Sequence, residues 1–120
     1  MTHLRWNEIE RERLNPFFVR QVVHAERITI ARLELERGYV VPRHSHENEQ
    51  VTLVQMGRLR FRLDDHETVV GPGEVMVIPP HAAHEVEVLD DCAATDLFSP
   101  VREDWVRGDD AYLREAQSER

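Results

Sequence analysis

Lysine is absent, and all 15 basic residues are arginine. Without a lysine amine the chain cannot form a Schiff base or hold pyridoxal phosphate covalently, so an anionic ligand must be met by arginine or by metal. Cysteine is almost absent too. Cys92 stands alone, which excludes an intrachain disulfide and any zinc site built from several thiolates. Long apolar runs are missing: the opening MTHLRWNEIERER offers no signal-type segment, and no stretch approaches the ~20 apolar residues of a membrane helix. The expectation is a soluble cytoplasmic protein with no membrane partner. Positive charge is outnumbered, leaving a net charge of −8, which argues against nucleic acid, because its binders rely on clustered cationic side chains.

What is present is an ordinary globular composition, 41% apolar and 32% charged over 120 residues, enough for one core and one domain. From Phe17 onward the apolar period is near two. The runs 17–24, 27–36, 50–56, 58–63, 66–70, 74–79, 84–89 and 93–98 read as strands, separated by turn residues such as Gly57, Asp64-Asp65 and Gly71-Pro72-Gly73. Many short strands with almost no helical period predict an all-β sandwich or barrel, with its core over about 17–100. Residues 1–16 form an arm, and in the tail 101–120 the stretch 109–120 reads as helical. Ile28 and Ile30 share one parity and Leu33 and Leu35 the other, which predicts a β-bulge near Ala31 and Arg32.

The segment HSHENEQ, residues 44–50, gathers imidazoles and amides that no apolar core requires. On a strand His44 and His46 point to the same face with roots about 7 Å apart, so both rings can converge on one ion at about 2 Å. Gln50 would lie roughly 13 Å further along a straight strand. The chain must therefore turn within Glu47-Asn48-Glu49 for Gln50 to return opposite the histidines. His84, opening an alternating run with Val86 and Val88, is the best further ligand. The bland reading is a set of surface histidines at a strand end, but a third histidine opening another strand tips the balance to one divalent transition metal ion. Nickel, zinc, iron and manganese all accept this donor set.

At these residues the spacing resembles a known family. Gly38, five residues, His44-Ser45-His46, three residues, Gln50, six residues and Gly57 resemble the first cupin motif; Gly73, five residues, Pro79, four residues and His84 resemble the second. The 15 residues between them match compact single-domain cupins, and the resemblance covers about 25–100. It implies a double-stranded β-helix, or jelly-roll barrel, with His44, His46, Gln50 and His84 as metal ligands. Departures are Gln50 where glutamate is usual, His81 in place of glycine, and Val88 in place of asparagine. A neutral glutamine leaves more net positive charge on the ion, which suits an anionic substrate better than a high-valent oxidant.

TDLFSPVREDW, residues 95–105, resembles the end of the cupins of pectin and alginate breakdown that convert 4,5-unsaturated uronates to open-chain 5-keto-4-deoxyuronate. The resemblance implies catalytic roles for Asp96, Phe98 and Arg102. By strand parity Asp96 and Phe98 share a face, so a carboxylate lining the barrel becomes a candidate acid or base, and Arg102 could fold over the mouth to grip a substrate carboxylate. The alternative is an Asp96–Arg102 surface pair. Three functions stay open: a uronate-processing enzyme, a metal-dependent dioxygenase, and a non-catalytic sugar-binding module. The stripe Arg58, Arg60 and Arg62 alternates with Leu59, Phe61 and Leu63 and is expected to face water. His3, His24 and His66 are expected on the surface, and His81 is ambiguous. An open sandwich with edges to protect is expected to pair as a homodimer, through the segment 17–24.

Overall fold

In the computed structural model, which describes residues 1–115, the period-two runs become ten strands. They are β1 Glu12–Asn15, β2 Phe18–His24, β3 Thr29–Leu35, β4 Val40–His44, β5 Glu49–Met56, β6 Leu59–Leu63, β7 His66–Val70, β8 Val75–Ile78, β9 His84–Val88 and β10 Cys92–Ser99. Two short helices follow, α1 Glu103–Val106 and α2 Ala111–Arg114. Every pairing is antiparallel, in a six-stranded sheet ordered β1-β2-β3-β10-β5-β8 and a four-stranded sheet ordered β4-β9-β6-β7. Strands from both sheets fill one core: Ala31, Leu33, Val54 and Ile78 from the first meet Leu59, Phe61, Val86 and Val88 from the second. The molecule is the all-β jelly-roll barrel that the sequence predicts. Burying a side chain such as Phe61 or Ile78 contributes about 1.5–3 kcal/mol.

The bulge expected at Ala31 and Arg32 is absent. β3 pairs with β2 and with β10 in unbroken register, and Thr29, Ala31, Leu33 and Leu35 all point inward. The parity misleads because the inner positions near the barrel mouth are small or polar, while Ile28, at 43% exposure, lies outside. The irregularity that matters sits in β4, where Val41 pairs with Val86 and His44 with His84, so one extra residue is accommodated at Pro42-Arg43. Pro42 has no amide N–H to place in the ladder, and the extra residue returns His44 to the face that Val41 already occupies.

The segment 17–24 is not a sheet edge. β2 lies between β1 and β3, so the edge belongs to β1, formed from the end of the expected arm. Phe17 and Phe18 pack on Tyr39, with ring centroids 6.0 and 5.7 Å away. The arginine stripe faces outward as expected and is fully engaged. Arg62 reaches Glu67, Glu85 and Glu87, Arg60 reaches Glu87, and Arg58 reaches Asp90. Gly57, with φ +78°, ends β5 where an added Cβ would stand 2.3 Å from the Asp91 carbonyl oxygen.

The tail is helical only over Ala111–Arg114, and the expected helix beyond 115 lies outside the described residues. α1 was not foreseen. α2 is fastened over one end of the barrel: the Leu113 carbonyl accepts from Asn15 Nδ2 at 2.7 Å and from the Tyr39 hydroxyl at 3.2 Å. Asp110 forms a buried ion pair with Arg20 at 2.9 Å, and Arg20 also lies over the Trp105 ring. Among the described residues no helix is long and apolar enough to cross a membrane.

Candidate metal centre

The two sheets each supply part of the site. β4 belongs to the four-stranded sheet and β5 to the six-stranded one, so the chain crosses from one to the other through Ser45–Asn48. His44 and His84 are register partners on β4 and β9. Across from them Gln50 pairs with Phe98 and Thr52 with Asp96 on β5 and β10, so period-two alternation turns all four of these side chains inward.

The ring nitrogens of His44, His46 and His84 that face one another lie within 4.8 Å. Each ring is fixed by its other nitrogen. Nδ1 of His44 lies 2.7 Å from the Pro42 carbonyl oxygen, Nδ1 of His84 lies 2.8 Å from that of Ala82, and Nδ1 of His46 lies 3.1 Å from that of Asn48. A carbonyl can only accept, so these contacts assign the proton to Nδ1 and leave the three Nε2 lone pairs converging. Burial pushes His44 down to about 4, helped by His84; burial and then the Arg102 charge push His46 to about 4; burial also lowers His84. The rings are neutral at neutral pH, the form that ligates metal.

Gln50 supplies the fourth donor. Its Oε1 stands 3.1 Å from His46 Nε2, two acceptors facing each other with no proton between them. A cation resolves that opposition, and two donors each about 2.0–2.1 Å from one ion would stand about 3 Å apart at neighbouring positions. The amide is oriented from behind: Gln50 Nε2 donates to Thr52 Oγ1 at 3.0 Å, and Thr52 Oγ1 donates to Asp96 Oδ1 at 2.6 Å. The residues present therefore fit a divalent ion bound by three imidazoles and an amide oxygen. Glu49 is exposed and points away. His81 is not in the cluster; it takes φ +68° and its backbone N–H donates to the His46 carbonyl at 2.8 Å.

Asp96 lies deep in the barrel wall, and burial raises its carboxyl to about 6 against the opposing pull of the Thr52 hydrogen bond and the Arg102 charge. Arg102 corrects two expectations. It forms no surface pair with Asp96, and it does not reach out over the mouth. Only 1% exposed, it packs over the rings of Phe98 and Trp105, 4.6 and 4.3 Å from their centroids. Nε and Nη2 donate to the two carboxylate oxygens of Asp104 at 2.9 and 2.8 Å, and Nη2 also donates to the Tyr112 hydroxyl at 2.8 Å. The reason is local: Asp104 is two residues away on α1, and a guanidinium stays charged when shielded from water, so its burial is costly unless a carboxylate answers it.

A cavity of about 50 Å³ opens among His44, Gln50, His84, Asp96, Phe98 and Arg102. Thr52, Asp104, Trp105 and Tyr112 also shape this region and were not singled out in the sequence. Thr52 was accessible to reasoning, since it stands two residues after Gln50 and so shares its face. Tyr112 and Asp104 carried no comparable signal.

These features define a class. A cupin domain matches residues 31–98, more than half of the chain, and the chain belongs to the cupin family. Its folded relatives include KdgF from Halomonas sp., with a TM-score of 0.76 and 28% identity, covering 82% of this chain and 94% of that one. An RmlC-like cupin from Shewanella frigidimarina NCIMB 400 gives a TM-score of 0.79 at 25% identity, covering 88% and 96%. Oxalate decarboxylase from Bacillus subtilis gives 0.73 at 16% identity and 29% of its own length, a likeness of fold alone. Comparison with curated proteins gives no match.

Proposed function

We propose that this cupin is a metal-dependent enzyme acting on a small sugar acid, converting a 4,5-unsaturated uronate to open-chain 5-keto-4-deoxyuronate. The observation that carries the reading is a buried carboxylate of near-neutral affinity for protons and a buried guanidinium, sharing one cavity with His44 and His84, two of the three convergent imidazoles. Its likeness to KdgF from Halomonas sp., together with the resemblance of residues 95–105 to the cupins that linearise unsaturated uronates, supports the same reading.

The reaction is an isomerisation. The bond between the anomeric carbon and the ring oxygen breaks as the anomeric hydroxyl loses its proton and becomes an aldehyde. The ring oxygen takes up a proton in place of the one released, giving an enol, which then gains a proton at C4 and loses the one on oxygen to become the ketone. A divalent ion held by His44, His46, Gln50 and His84 would polarise the substrate oxygens. Asp96 is suited to deliver the proton to C4, because a carboxyl that titrates near 6 both holds and releases a proton close to neutral pH. Arg102 offers its charge to the substrate carboxylate, and Phe98 supports both the guanidinium and the His46 ring, whose centroid is 5.7 Å from its own.

Loss of the ultraviolet absorbance of unsaturated galacturonate, followed with metal-loaded protein, tests the proposal. Decay faster than buffer, abolished in Asp96→Asn with metal content intact, is expected. A rate equal to buffer rejects the uronate reading.

A further inference from the structure

Tyr112 touches two parts of the site at once. Its ring centroid lies 4.9 Å from that of His44, and its hydroxyl accepts from Nη2 of Arg102 at 2.8 Å. A guanidinium carries five N–H donors in fixed directions. The inner edge of Arg102 is committed to Asp104 through Nε and Nη2, and the second Nη2 hydrogen goes to Tyr112. Nη1 has no hydrogen-bond partner among the described residues. The outer edge, Nη1 with Nη2, is where a carboxylate would seat with two parallel bonds. The tyrosine hydroxyl holds half of that edge.

Space leads to the same residue. At ~15 Å³ per water-sized position, a cavity of about 50 Å³ takes a few waters. A six-carbon acid needs far more. The backbone on either side of Tyr112 is anchored, by Asp110 to Arg20 and by the Leu113 carbonyl to Asn15 and Tyr39. The half-exposed phenol side chain is thus the part free to turn aside.

We propose that Tyr112 is a specificity-determining residue: its hydroxyl stands in for one carboxylate oxygen on Arg102, and an incoming acid displaces the phenol, which completes the fork and opens the space beside His44. The inference rests on the reading of the cavity as a site for a small acid. It makes carboxylate recognition and admission of the sugar body one event, so a neutral sugar of the same size lacks the means to open the site.

The test is calorimetric titration of the full chain, with nickel present, by galacturonate, acetate and galactose, comparing the parent with Tyr112→Phe and Tyr112→Ala. Tyr112→Phe keeps the ring and removes the competing hydroxyl, so both acids should bind about tenfold more tightly, the worth of one charge-assisted hydrogen bond, while galactose is unaffected. Tyr112→Ala should favour galacturonate further, because the ring volume is gone. Unchanged or weakened acid binding in Tyr112→Phe, or an equal gain for galactose, overturns the proposal. A gain for acetate with no binding of galacturonate in any protein upholds the role of Tyr112 and rejects the uronate reading instead.

Discussion

Asp96→Asn should stabilise the metal-free fold at neutral pH while it removes the acid-base group. In the folded chain burial lifts this carboxyl from 3.8 to about 6, although the Thr52 hydrogen bond and the Arg102 charge both pull it down. At about 1.4 kcal/mol for each pH unit of displacement, keeping the group ionised costs the folded state about 3 kcal/mol. The direction sets the sign. The folded carboxyl holds its proton more tightly than the unfolded one, so its cost is absent below about pH 4, grows as pH rises, and is complete above about pH 6. Asparagine has nearly the same shape and can still accept the Thr52 hydroxyl, so it escapes the cost without a new cavity. Urea unfolding of chelator-treated parent and variant should give curves that diverge as pH rises from about 4.5 to about 7.5, with the variant ahead by up to about 3 kcal/mol. The histidines titrate in both proteins and cancel in the difference. A difference that stays flat across that range, or favours the parent at its upper end, refutes the reasoning.

Nickel or zinc at about 100 times its dissociation constant should add about 2.7 kcal/mol of unfolding free energy, and His84→Ala should abolish the gain. A thermal melt of the parent that ignores both metals counts against the ion site. Gly57→Ala should cost about 1–3 kcal/mol, since the new Cβ meets the Asp91 carbonyl and the backbone is left-handed there, and an unchanged urea midpoint would contradict this. Arg62→Ala removes contacts to three carboxylates, but they lie on the partly exposed outer face, so about 1 kcal/mol or less should be lost and turnover should be untouched. A loss of several kcal/mol would show that the outer ladder matters more than surface screening allows.

Much of the site could be read from alternation alone. Once 50–56 and 93–98 are strands, Gln50 must share a face with Thr52, and Asp96 with Phe98, and the HxH pair announces its partner on another strand. What could not be read depends on contacts between distant segments. The β4 bulge depends on how β4 pairs with β9; Pro42, which cannot donate to a ladder, marks its place locally, but the apolar parity at Ala31-Arg32 points elsewhere. The apolar parity of Ile28 and Ile30 points the wrong way because Thr29, fully buried, serves the mouth: its hydroxyl accepts the backbone N–H of Arg102. The burial of Arg102 follows from α1, a single turn too short to leave a helical period, and from a tyrosine ten residues downstream.

The donors come from both halves of the sandwich, His44 and His84 from one and Gln50 from the other, with His46 at the crossing. An ion seated among them would act as a rivet through the two layers. If one layer slid past the other by a residue, imidazoles and carboxamide would fall out of reach together. Affinity for the ion is therefore a gauge of how the halves are aligned, and truncations as remote as Val54→Ala or Leu59→Ala should loosen its grip before they unfold the chain.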